Sequence, residues 1–177
     1  MKAVEFRDYC DDIVALVGQC EDITFAAETN ALLQKVFAIG AASEFEVELC
    51  LRIKEFVNRA SSGNARLVSF VDKASVSRHY HSWFDWDATN ANKFFSLFGI
   101  EFRNYMRALL DADEQLHNGE RAFMKIGGYR NKIVHEDFLS FSFDKTVSEM
   151  EGLYQNATLF VELFPKVLID YEELAHD

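Results

Sequence analysis

Apolar positions recur along this chain every three or four residues, and alternating β-branched runs are scarce, so the pattern is helical from end to end. Phe6, Cys10, Ile13, Val14 and Val17 share one face of a helix over about Val4–Gly18. Leu32, Leu33, Val36 and Phe37 mark a second helix over roughly Thr24–Ile39. Ser43 with Glu46 three positions on has the form of a capping box, and predicts a third helix through Phe45, Leu49, Ile53, Phe56 and Val57. Ser61-Ser62-Gly63 ends it, and a short helix near Ala65–Lys73 follows. Phe94, Phe95, Leu97 and Phe98 form a compact apolar helix stopped by Gly99. Glu101–Leu110 and Leu116–His135 are two more helices. The last begins near Asp144, runs through Met150, Leu153, Leu159, Phe160 and Phe164, and kinks or restarts at Pro165. The fold class is therefore all-α: an up-down helical bundle with additional short helices.

Residues Ser75–Asn92 break the pattern. Their run Arg78-His79-Tyr80-His81-Ser82-Trp83-Phe84-Asp85-Trp86-Asp87 is too aromatic for a flexible linker, and reads as an ordered connection anchored by its rings. At 177 residues, with no internal repeat or low-complexity tract, the expectation is one domain over 1–177. No apolar run is long enough to span a bilayer, and the first residues carry acids where a secretory leader would be apolar. Cys10, Cys20 and Cys50 are odd in number and lack metal-type spacing, which predicts reduced thiols in a cytoplasmic protein.

Charge changes the picture only through its distribution. The net charge of −11 argues against a general nucleic-acid coat protein. Yet residues 1–50 carry −7 and residues 136–177 carry −8, while residues 51–135 carry +4. Within the middle region Arg121, Lys125, Arg130 and Lys132 fall on a stretch without a single acid. A polyanion would be drawn there and repelled elsewhere. The bland reading is a solvated basic helix face.

The chemistry concentrates at the end of the same helix, in Arg130-Asn131-Lys132-Ile133-Val134-His135. A guanidinium stabilises charge on phosphorus, and an imidazole moves protons near neutral pH. Asn131 is four residues before His135 and so can reach the imidazole. Arg130 lies about 140° round the helix from His135, so the two heads converge poorly within one chain. Two copies packed across a dyad would bring both pairs into one cleft, and Gly127-Gly128 would permit close approach at such a crossing; alternatively the two glycines break the helix. Such a set suits RNA cleavage by the substrate's own 2′-hydroxyl, which needs a base, an acid and a cation but no metal. A histidine in a last helical turn is also, in the plainer reading, a partner for the helix dipole.

Other residues offer less. His79 and His81 with Asp85 and Asp87 have no clear third histidine for a metal site, so none is assigned and no cofactor is expected. Arg78, His79 and His81 are candidates for an RNA path or for surface decoration. Arg103 and Arg107 either extend the basic surface or pair with Asp111. His117 and His176 have no evident partners.

The stretch Gly128-Tyr129-Arg130-Asn131-Lys132-Ile133-Val134-His135, followed by the acidic pair Glu136-Asp137 and a Phe/Ser-rich turn, resembles the signature of the HEPN superfamily. The upstream segment from Asp85 to Gly99, with its short Phe94-Phe95-Ser96-Leu97-Phe98-Gly99 helix, resembles the RiboL-PSP branch of that superfamily. Glu44-Phe45-Glu46 fits the same pattern less specifically, and the resemblance spans about residues 30–165. It implies a helical bundle that dimerises and builds a composite, metal-independent endoribonuclease site, often in a toxin or anti-phage effector restrained by an antitoxin. Arg130 and His135 would then be catalytic, Asn131 supporting, and Lys132, Lys125 and Arg121 candidates for RNA contact. Glu136 and Asp137 would raise the histidine pKa. The alternative is a non-catalytic module of the same fold that binds RNA, a nucleotide or a protein partner.

Overall fold

The computed structural model describes residues 3–19, 22–77, 79–135, 138 and 140–174. Its elements are α1 (Ala3–Val17), α2 (Ile23–Ala60), α3 (Ala65–Val71), α4 (Tyr80–Trp83), α5 (Asn92–Phe95), α6 (Ile100–Ala112), α7 (Glu114–His135) and α8 (Val147–Leu174). Among the described residues there is no strand, and the all-α expectation holds. Cys20, Glu136, Asp137, Arg78 and His176, each given a role above, lie outside the described residues.

Three long helices make the frame. α7 and α8 pack along one another, and α2 lies against both. Phe37, Phe45 and Leu49 of α2, Phe123 and Ile126 of α7, and Phe160 and Phe164 of α8 are all buried between them. Phe94 and Phe95 of α5 join this core and stack toward Phe164. Each such ring contributes about 1.5–3 kcal/mol by leaving water, so the aromatic content alone gives the bundle a substantial drive to close.

The helix ends follow from capping chemistry. Asp22 accepts from the amides of Thr24 and Phe25 and starts α2. Asn64 does the same for α3 through Arg66 and Leu67. Asp113 accepts from Gln115 and Leu116 at the start of α7. Gly99, at φ +106°, stops the short helical run before α6, as its sequence position predicts.

The structure corrects four readings. α2 runs unbroken for 38 residues, so the Ser43–Glu46 capping box does not exist and Glu46 is mid-helix. The capping box is instead Thr146–Glu149, where the Thr146 amide donates to Glu149 (2.8 Å) and the Glu149 amide to the Thr146 hydroxyl (3.2 Å). α8 passes through Pro165 without a restart, held by Phe164, Val167 and Leu168 in the core. The apolar faces are also narrower than their sequences imply. Leu33 and Phe37 are buried while Leu32 and Val36 are exposed, because α8 covers only one flank of α2 there. On α1, Cys10 is buried but Ile13 and Val14 are not.

The irregular segment is ordered by its rings. A π-helical turn at Asp72–Val76 bends the chain out of α3, and Lys54 and Ser77 both bind Asp72. The Trp83 indole then donates to the Ser75 carbonyl and the Trp86 indole to the His81 carbonyl. Phe84 sits in the core against Phe94, with ring centroids 4.6 Å apart. This strap crosses the bundle and lies against α7.

Candidate active site

α7 presents different chemistry on each side. Phe123, Ile126 and Ile133 enter the core, whereas Arg121, Lys125, Lys132 and His135 are exposed and Arg130 and Asn131 are half-buried. Gly127 is where the strap meets the helix. A Cβ there would lie 1.9 Å from the Trp86 ring, so only glycine admits the indole. The two glycines therefore neither break α7 nor leave a flat surface at Gly127 for a second copy. Their own chain fills that place.

Docking of the strap brings His81 to Arg130. The Arg130 Nη2 lies 3.0 Å from His81 Nε2, and Glu46 Oε2 of α2 lies 3.7 Å from the same ring nitrogen. The guanidinium has only donors, so Nε2 accepts and the imidazole is neutral with its proton on Nδ1. Partial burial, then the Arg130 charge, holds the His81 pKa below the usual histidine value; Glu46 acts in the opposite sense, and nearby His135 adds to the lowering. Ala42, Phe45, Tyr80, Trp86 and Phe123 wall the recess into which Arg130 and His81 project. Arg130 makes no direct ion pair among the described residues, and Glu46 lines the same recess on the far side of the imidazole.

His135 ends α7 in the open. No hydrogen bond joins it to Asn131, although the two are four residues apart on one face, nor to Arg130, which lies about 140° round the helix. Arg121, Lys125 and Lys132 line a separate groove on the neighbouring flank, bounded by Trp86–Thr89 of the strap and by Asn156 of α8. Tyr129 closes one side of that groove, donating its hydroxyl to Asp144 at 2.8 Å under the Lys125 ammonium.

Sequence reasoning missed the role of His81 and of Glu46. It weighed His81 as a metal ligand with His79, but the ring turns to Arg130, and no described group of three or more His, Cys, Asp or Glu side chains is arranged to hold a metal. It also offered Asp111 as the partner of Arg107. The structure pairs Arg107 with Glu120, whose carboxylate is 0% exposed and also accepts from the Ala91 amide at 2.8 Å. That pair is structural.

The model of the RiboL-PSP-HEPN family matches residues 4–170. The chain belongs to this family. The match is wider than the resemblance carried by the motifs, taking in α1 and almost all of α8. Membership places this HEPN protein among HEPN-fold nucleases or RNA-related modules. No curated protein and no solved structure matches the chain. Among the described residues no helix is long and apolar enough to cross a membrane.

Proposed function

We propose that this HEPN protein is a metal-independent endoribonuclease acting as a homodimer, with Arg130 and His135 of both copies in one composite cleft. The observation that carries the reading is the state of the two groups. Arg130 makes no direct ion pair among the described residues and meets the His81 ring at 3.0 Å, and His135 stands exposed one and a half turns further on. One histidine takes the proton of the ribose 2′-hydroxyl as its oxygen attacks phosphorus. The other gives a proton to the departing 5′-oxygen. The products are a 2′,3′-cyclic phosphate and a 5′-hydroxyl end. The arginines stabilise the charge gathering on the phosphoryl oxygens. Asn131 supports His135, and Lys132, Lys125 and Arg121 draw the RNA backbone along the neighbouring groove. DNA, lacking the 2′-hydroxyl, is inert.

The exposure of His135 and its distance round the helix from Arg130 favour a site shared between copies. The test is cleavage of RNA by purified protein in EDTA, with the ends identified chemically. Mixing inactive Arg130→Ala with inactive His135→Ala should restore part of the activity, because the shared cleft of a mixed dimer again holds one Arg130 and one His135, where each parent cleft lacks one of the two kinds. RNA binding without products from the wild type would instead identify a non-catalytic binding module. A toxin or defence role, with a restraining partner, predicts that induced expression stops growth for the wild type and not for His135→Ala.

A further inference from the structure

His81 reaches Arg130 from a segment 49 residues away, and the contact admits one protonation state. A guanidinium cannot accept a hydrogen bond, so an imidazolium in the same place would confront it with two donors and two positive charges. Glu46 stands 3.7 Å from the same nitrogen, ready to receive a proton-bearing Nε2. Two arrangements are thus built into three side chains: neutral His81 accepting from Arg130, or charged His81 donating to Glu46.

We propose that His81 is the positioning residue for Arg130, holding the guanidinium at the cleft as a neutral acceptor and releasing it on protonation, when the ring turns to Glu46. The choice of a neutral partner has a clear consequence. A carboxylate in the place of His81 would hold Arg130 as firmly but cancel the charge that a phosphate needs. The groups facing the ring are Glu46 from α2, Arg130 and His135 from α7, and Tyr80 beside it in the strap, with ring centroids 5.5 Å apart. Partial burial and then the Arg130 charge oppose protonation of His81 and outweigh Glu46, so the neutral arrangement prevails at neutral pH. Acidification past the lowered His81 value disengages Arg130. The consequence for cleavage rests on the ribonuclease reading; the positioning itself does not.

Two measurements test it. In nitrogen-15 spectra, His81 should appear at neutral pH as the neutral tautomer protonated on Nδ1. The Arg130 guanidinium signal, assigned by its loss in Arg130→Lys, should shift with pH at the midpoint of His81. In His81→Gln that shift should vanish, since an amide oxygen accepts without titrating. An Nε2-protonated tautomer, or an Arg130 signal indifferent to His81, overturns the proposal even if no RNA is cut. In cleavage assays His81→Ala should lower kcat by roughly 10–100-fold with a smaller change in KM, and His81→Gln should restore most of it and lose the His81 inflection on the acid side. His81→Ala cutting with wild-type kcat would overturn the positioning role while leaving the ribonuclease reading standing. His81 is well exposed, at 42% of its side-chain surface, so loss of helical signal is not expected from either variant.

Discussion

Two arginines on adjoining helices have opposite surroundings. Arg107, on α6, meets the fully buried Glu120 near the start of α7, with Phe95 under its guanidinium. Arg130, near the other end of α7, is half-buried and meets a neutral imidazole. The first charge is cancelled and serves to tie α6, α7 and the Ala91 amide together. The second makes no direct ion pair among the described residues, with the Glu46 carboxylate beyond the imidazole. A cation whose charge is neutralised in the core stabilises a fold; one held without neutralisation is available to a ligand. The two ends of α7 thus divide structural and chemical duty.

The contrast can be broken by substitution. Arg130→Ala and His135→Ala should each lower RNA cleavage by about 10²–10⁴-fold while barely moving Tm. A Tm fall as large as that of the buried pair would place Arg130 with the structural arginine. Arg107→Ala leaves a buried carboxylate without its cation and should cost about 3–5 kcal/mol, a Tm drop on the order of 10 °C in a chain of this size. Its cleavage rate below that Tm should match the wild type; a rate loss without instability would erase the division. Gly127→Ala sharpens the boundary between the two ends, since the added methyl would drive Trp86 off the helix. Overpacking of this kind costs about 1–3 kcal/mol, partly offset by the better helix propensity of alanine. Thermal melts should show the loss, and cleavage should fall with it because the strap carries His81.

The smallest effect concerns acid. Asp144 accepts from the Tyr129 hydroxyl, which holds its carboxyl pKa below the ordinary range. A carboxyl depressed by folding stabilises above its unfolded pKa, and that contribution disappears as pH falls through the folded value. Urea midpoints of the wild type and Tyr129→Phe should therefore differ near neutrality and converge once the pH has fallen below the depressed Asp144 value. A gap that stays constant with pH would show that Asp144 is not its source.

What the sequence revealed was local. The 3.6-residue period places nearly every helix, Gly99 places a stop, and the ring content of 75–92 correctly identifies an anchored strap. Ser43-x-x-Glu46 misled because a capping box is a four-residue signal, and helix continuity across Gly40-Ala41-Ala42 is decided by the partners on either side. Gly127 was legible as a close approach but not as an approach by Trp86. The Arg107–Glu120 and Arg130–His81 pairs left no trace in spacing, being 13 and 49 residues apart, the first joined by the packing of α6 on α7 and the second by the folding of the strap onto α7. Chemistry assembled from distant segments is the part that periodicity cannot show.

The strap holds both of the tryptophans in the chain, Trp83 and Trp86, and the Trp86 indole is bonded to the backbone of the histidine that meets Arg130. Excited at the red edge, where tyrosine no longer absorbs, the protein therefore emits from this strap. An unlabelled sample carries its own optical probe there, so acidification or added RNA can be followed by colour and intensity of that glow.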